Sequence, residues 1–323
     1  MTSPRNQIIA LIEQGGIAPD NIPDALTASR VEPDGESWKT FLDHLLLWLG
    51  GLALAFAVMF FIAYNWDDLG RFAKFGLMEG LIIMTVLVYW KLDKAKVAAK
   101  ISLLLASIFL GVLLALYGQT YQTGADPWQL FFTWALLMLP WAMIGRFSAI
   151  WILWIGLINT SIILYHMTFR NAFWMVFDSD MSMLWWVFIF NTLALFAWEF
   201  LEQRWTWLAE RWATRLLALA SGTAITWLAI YVIFDPRQGD AVSIVVWLAW
   251  MGGLYFFYRM KKPDLFMLAG GCLSGIVVIV SVLIRYMLDR LEAGGFLLLA
   301  LVIIGLGTGA AIWLRNVHRE WTA

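Results

Sequence analysis

The stretch Leu265-Phe-Met-Leu-Ala-Gly-Gly-Cys-Leu-Ser-Gly-Ile-Val-Val-Ile-Val-Ser-Val-Leu-Ile284 decides the fold. It carries no charge between Asp264 and Arg285. A helix needs roughly 20 predominantly apolar residues to cross the hydrocarbon of a bilayer, and this run supplies them. Similar runs lie on either side of it: Leu45–Ala63, Phe72–Trp90, Ile101–Tyr117, Trp128–Ile144, Phe147–Tyr165, Met183–Phe200, Leu216–Phe234, Ala241–Tyr258 and Phe296–Leu314. A transmembrane strand would need only about 9–11 residues of alternating polarity. The pattern therefore predicts an all-α, polytopic transmembrane helix bundle of about ten spans.

Composition agrees. Of 323 residues, 62% are hydrophobic and 14% charged. A soluble domain is about 45–50% apolar and about 25% charged. The mean hydropathy of +0.75 leaves more apolar side chain than a water-soluble core of this size could hide, so the expected partner is the lipid bilayer. The net charge of −1, with no basic stripe clear of the spans, gives no reason to expect nucleic acid. Cys272 is the one cysteine, and it reads as a small buried hydrophobe. His44, His166 and His318 lie far apart, so neither a metal nor a cofactor is expected.

Residues 1–40 read as a cytosolic helical N-terminal segment, and residues 41–323 as the transmembrane helical domain. Ile8, Ile9, Leu11 and Ile12 suggest one short helix ended by Gly15-Gly16, and Asp20 to Ala28 a second. No apolar stretch precedes Leu45, and that first run is long enough to remain as an anchor rather than a cleaved signal. Lys and Arg favour the cytosolic side of a membrane. With the N-terminus in the cytosol, only Arg71, Lys74, Arg170, Arg237, Arg285 and Arg290 of the 22 fall on the other side. Both termini are therefore expected in the cytosol. Trp128, Trp141, Trp185, Trp186 and Trp321 fall near span ends, as an aromatic belt requires.

Two connections are long enough to hold structure. Leu201, Trp205, Leu208 and Trp212 recur at helical spacing with Glu202, Arg204, Glu210 and Arg211 between them, which predicts an amphipathic interfacial helix over Leu201–Arg215. Phe169, Phe173 and Phe177 predict a matching helix within His166–Ser182. Gly76 with Gly80, Gly271 with Gly275 and Gly305 with Gly309 are small-residue pairs of the kind that let membrane helices approach closely.

Candidate functional residues follow from depth. Asp67 and Asp68 precede the second span, where a helix dipole favours negative charge, with Arg71 and Lys74 as charge partners. Glu79 lies about seven residues inside that span, roughly 10 Å deep at 1.5 Å per residue. An ionised group there must be paired, protonated or wet. On the orientation above, Gln119, Asn159 and Asn191 also sit toward the outer side. Lipid-facing positions disfavour such groups, so Asp67, Asp68, Glu79, Gln119, Asn159 and Asn191 are expected to line an outward-facing polar vestibule. The alternative is a set of unrelated interhelical hydrogen bonds. No Gly-x-Ser-x-Gly elbow, His-Glu-x-x-His or phosphate loop occurs, so no catalytic residue is assigned, and no arginine ladder marks a voltage sensor.

Two stretches carry a resemblance. Phe61-Ile-Ala-Tyr-Asn-Trp-Asp-Asp-Leu-Gly-Arg-Phe-Ala-Lys-Phe75 with Glu79-Gly80, and Tyr117-Gly-Gln-Thr-Tyr-Gln-Thr-Gly-Ala-Asp-Pro-Trp128, resemble the bacterial multi-pass membrane proteins of domain of unknown function 2157. The match covers roughly Ile8 to Trp141. The resemblance implies a bacterial inner-membrane location and action beside another membrane protein, and it transfers no site residues. Ten spans suit a transport-type protein for a small solute or lipid, with Glu79 as a coupling acid. The alternative is a non-transporting scaffold or sensor that docks another membrane protein.

Overall fold

The computed structural model describes residues 8–9, 11–12, 14–28, 35–65, 67–169, 179–236, 241–287 and 293–322. All its regular structure is helical among these residues. After a 3-10 turn at Pro19–Asn21 come α1 (Ile22–Ala28), α2 (Gly35–Tyr64), α3 (Arg71–Lys91), α4 (Val97–Tyr121), α5 (Pro127–Gly145) and α6 (Ser148–Phe169). Then follow α7 (Ser179–Leu201), α8 (Arg211–Phe234), α9 (Ala241–Phe256), α10 (Leu265–Met287) and α11 (Ala293–Thr322). Among the described residues, ten helices are long and apolar enough to cross a membrane, one for each predicted run. The all-α, multi-pass reading is correct.

Helix ends depart from the hydropathy runs for physical reasons. α2 begins at Gly35, ten residues before the apolar run at Leu45, because hydropathy marks where lipid begins and a helix can extend beyond it. α9 ends in a π-helical turn, Phe257–Lys261, in which the Lys262 N–H donates to the Phe257 carbonyl. Such turns inside or at the ends of α-helices often mark functional sites.

The chain divides into two compact units, Met1–Val112 and Leu113–Trp321. In the first, α2 passes close to α4 at Gly51, where a Cβ would meet the Ile101 side chain at 3.0 Å. In the second, α5 and α6 form a hairpin whose turn holds Arg146 in the left-handed region at φ 43°. Pro140 lies inside the continuous helix α5 and cannot donate to the Leu136 carbonyl. The indole of Trp154 donates to the neighbouring carbonyl, Ala135, at 3.0 Å, the kind of support that lets a membrane helix tolerate proline. α8 is the centre of this unit, packing against α7, α9 and α10. Its buried face runs through Ala213, Leu217, Ala224, Ile225 and Leu228.

The interfacial helix predicted over Leu201–Arg215 does not form. α7 runs to Leu201, a short 3-10 turn covers Thr206–Leu208, and α8 begins at Arg211. Tertiary contacts override the local periodicity. Leu208 is driven into the core at 3% exposure. Its carbonyl accepts from the Trp198 indole at 3.0 Å, and the Trp207 carbonyl accepts from Ser148 Oγ at 2.8 Å. In the second predicted helix, residues 170–178, with Phe173 and Phe177, lie outside the described residues, while His166–Phe169 end α6. Of the glycine pairs, Gly271 and Gly275 on α10 face Met251 of α9. A Cβ at Gly76, Gly80, Gly305 or Gly309 would meet nothing within 4 Å.

Candidate functional site

Four helix ends of the second unit meet at one end of the bundle: the C-termini of α7 and α9 and the N-termini of α8 and α10. Each contributes charge. α7 brings Glu199 and Glu202, α8 brings Arg211 and Arg215, the π turn brings Tyr258 with Lys262 just beyond it, and Asp264 precedes α10.

The centre of the cluster is Asp264. Its carboxylate accepts from Arg211 Nη2 at 2.9 Å, from Arg211 Nε at 3.2 Å, and from Arg215 Nε and Nη2 at 3.2 Å each. It also accepts the Phe266 backbone N–H at 3.1 Å, so the same carboxylate caps α10. Arg211 reaches on through Nη1 to Glu199 at 3.1 Å. Glu199 further accepts the Tyr258 hydroxyl at 2.9 Å and the Lys262 ammonium, which also donates to Glu202 at 3.0 Å. Three acids and three bases are thereby joined.

Helix dipoles alone would not place these charges so. Glu199 and Glu202 sit at the negative end of α7, and Arg211 and Arg215 at the positive end of α8, each on its unfavourable terminus. The cross-helix pairing outweighs that cost. The cluster therefore fastens helices to one another rather than stabilising each separately.

Burial is asymmetric. The side chains of Asp264, Glu199 and Glu202 are 2%, 7% and 17% exposed, whereas those of Lys262, Arg211 and Arg215 are 28%, 29% and 40% exposed. The acids lie inside and the bases outside, so a neutral cluster turns a cationic face outward. Burial alone would raise the Asp264 carboxyl, but hydrogen bonds from Arg215 and Arg211 outweigh it and hold the group below the usual carboxylate range. Burial alone would lower Lys262, and its bonds to Glu199 and Glu202 outweigh that and raise it.

Two apolar clefts end on this cluster. One, of about 430 Å³, lies between α7 and α9 and has Leu195, Phe196 and Phe257 in its walls and Glu199 with Tyr258 at its polar end. The other, of about 250 Å³, lies between α8 and α10 and ends at Arg215. Ala218, Trp250 and Leu254 line both and form the partition between them. Gly222 makes the partition possible. A Cβ there would stand 2.8 Å from the Trp250 ring, closer than real contacts allow, so the indole seats only against glycine.

The residues singled out by depth are divided between the two units. Asp67, Asp68, Arg71, Lys74 and Glu79 are in the first; Gln119, Asn159 and Asn191 are in the second. The structure brings one pair together. Asn159 Nδ2 donates to Asn191 Oδ1 at 3.1 Å, and Asn191 Nδ2 donates back to Asn159 Oδ1 at 2.6 Å. Each Nδ2 also donates to a carbonyl one turn earlier in its own helix, Ile155 or Val187. Both amide groups thus have their donors engaged, and the pair clamps α6 to α7. Asp67, Asp68, Glu79 and Gln119 are exposed, and Lys74 is buried. The N-cap of α3 is Gly70, with no side-chain hydrogen bond to the helix end. Arg71 lies over the Phe72 ring at 5.2 Å. Among the described residues, no group of three or more His, Cys, Asp and Glu side chains is placed to hold a metal ion.

Residues 10–151 match the family model described as predicted membrane protein (DUF2157). The resemblance carried by the two loop motifs is therefore shown over that part of the chain, and with ten long apolar helices the protein is a multi-pass membrane protein. The matched segment ends before α7, so the charge cluster and both clefts lie outside it. No curated protein and no solved structure matches the chain.

The sequence assigns Glu202 and Arg211 to the polar face of an interfacial helix and Arg215 and Lys262 to the cytosolic charge, and it does not single out Glu199 or Asp264. Two signals pointed to them. Glu199 is an acid in the last turn of an apolar span, and Arg211 and Arg215 stand one turn apart at the helix end that disfavours them.

Proposed function

We propose that the protein is of transport type and handles an amphiphile, a lipid or a solute with an apolar body, within residues Leu113–Trp321. The observation that carries this reading is the pair of apolar clefts that share one partition and end on one ion cluster. An amphiphile needs an apolar wall and a polar end within one site, and each cleft offers both. Glu199, shared by Arg211, Tyr258 and Lys262, links α7 to α8 and α9. Its hydrogen bonds hold the α7–α9 cleft at its present width. On the positive-inside argument the cluster faces the cytosol of a bacterial inner membrane, with both termini on that side.

Reconstitution tests the reading. The full chain is placed in vesicles carrying a trace of fluorescent phospholipid in both leaflets, and dithionite is added outside. Transport of lipid predicts bleaching beyond the outer-leaflet fraction, slowed by Glu199→Gln. Bleaching that stops at the level of protein-free vesicles would overturn it.

A scaffold reading draws on a different observation. Glu79 lies on an exposed face of α3, eight residues after Arg71 and about 12 Å along the helix, beside Gly76 and Gly80. An acid at that depth calls for a polar partner, either the outward vestibule or another membrane protein. Co-purification of a partner that is lost in Glu79→Leu favours docking. Labelling of a Glu79→Cys variant by an impermeant thiol reagent from outside favours the vestibule.

A further inference from the structure

The groove between α8 and α10 has a form that fits one class of molecule. Its walls are apolar: Leu219 and Ile230 on one side, Phe266, Leu273 and Val277 on the other. Opposite Gly270 there is open space, since a Cβ at that position would meet nothing within 4 Å. Midway along, Thr226 and Ser274 share a hydrogen bond at 2.6 Å, and the Trp247 indole donates to Ser274 at 3.0 Å. These polar atoms satisfy one another and leave that stretch suited to an alkyl chain. From Arg215 to Ile230 the groove follows α8 for about 22 Å at 1.5 Å per residue, longer than the roughly 15 Å that one leaflet contributes to a bilayer core.

The head of the groove is cationic. Arg215 directs Nε and Nη2 inward to Asp264, and its third nitrogen, Nη1, makes neither of these bonds. The side chain is 40% exposed while Asp264 behind it is 2% exposed, so what approaches along the groove meets the guanidinium and not the carboxylate. Arginine presents a planar fork that suits phosphate oxygens.

We propose that this groove binds one acyl chain of an anionic phospholipid, with the phosphate against Arg215. The proposal deepens the amphiphile reading by naming a substrate class for one of its two clefts, and it rests on that reading only in that the cleft opens to the bilayer.

The test is lipid retention by the full chain, reconstituted with equal amounts of phosphatidylglycerol and phosphatidylcholine, extracted gently and weighed by native mass spectrometry. Wild type retains phosphatidylglycerol over phosphatidylcholine by about fivefold, the scale expected for one basic residue at a membrane surface. Arg215→Gln brings the ratio to about one. Gly270→Leu fills the groove, leaves the ion cluster intact and lowers retention of both lipids. Arg259→Gln, whose partner is Glu320, behaves as wild type. Equal retention by wild type, an unchanged preference in Arg215→Gln, or unchanged retention of both lipids in Gly270→Leu would overturn the site. The two proposals fail separately: selective retention without lipid bleaching removes transport and keeps the site, and bleaching without selectivity does the reverse.

Discussion

Arg211 and Asp264 meet across 53 residues of chain, with Nε and Nη2 of the guanidinium both on Oδ2 of the carboxylate. Arg215 bridges both oxygens of the same group, Nε on Oδ2 and Nη2 on Oδ1, and the carboxylate also caps α10. Asparagine at this position keeps one acceptor oxygen but loses the charge and turns the other oxygen into an amide donor facing the two guanidinium groups. Asp264→Asn is expected to destabilise the second unit by about 1.5–3 kcal/mol, the scale of a hydrogen bond to a charged group, because the two arginines stay partly exposed and Arg211 keeps Glu199. Asparagine still caps a helix, so Asp264→Ala should cost about 1 kcal/mol more. Chemical unfolding in detergent, followed by tryptophan fluorescence, checks both the size and the order.

The pH dependence has a definite sign on each side. Asp264 is held below its ordinary value by Arg215 and Arg211. Its contribution is therefore complete above the usual carboxylate range, about 3.9, and is lost as pH falls through the lower folded value. Lys262 is raised by Glu199 and Glu202. Its contribution is complete below about 10.4 and is lost as pH rises through the higher folded value. The melting temperature of the detergent-solubilised protein should be level from about pH 5 to pH 9 and fall on both sides. Asp264→Asn should flatten the acid fall and leave the alkaline one.

The amide pair between α6 and α7 makes a separate prediction. Asn159 and Asn191 are coupled only if their reciprocal hydrogen bonds persist in lipid. A double-mutant cycle with Asn159→Ala and Asn191→Ala should give a coupling energy of about 0.6 kcal/mol and at most about 1.7 kcal/mol, the range measured for polar pairs between membrane helices. Strict additivity would show that the two amides act independently.

The partition between the clefts depends on a missing methyl. Gly222→Ala forces the Trp250 ring to move, and overpacking of this kind costs about 1–3 kcal/mol. Trp250→Phe removes the ring atoms that collide, so the double variant should recover most of the loss. Thermal stability of the two single variants and the double variant decides it.

Long apolar runs made the fold legible, because the lipid core imposes a minimum length that few other structures need. Leu265 was placed as the first residue of its helix from the sequence alone. The periodicity over Leu201–Arg215 predicts a helix that does not form, since the burial of Leu208 and the carbonyl contacts of Trp207 and Leu208 come from distant helices. Depth picked out Asn159 and Asn191, but their mutual pairing, 32 residues apart, depends on how α6 and α7 face each other. The ion cluster was less legible still. Lys262 and Glu199 are 63 residues apart and Arg215 and Asp264 are 49 apart, and no local pattern relates them. Only the misplaced charges at the ends of α7 and α8 hinted that partners were needed.

The central claim is that the clefts of Leu113–Trp321 take up amphiphiles. It is tested most directly by photocrosslinking the full chain in vesicles to phosphatidylglycerol bearing a diazirine on its acyl chain, with mapping of the labelled peptides. The account predicts label concentrated on residues 192–203, 218–230 and 266–277, with Gly270→Leu reducing it on the last two segments, which line the groove that Gly270 borders. Label spread over exposed helix faces such as those of α2 and α11, with no excess in the clefts, would contradict it.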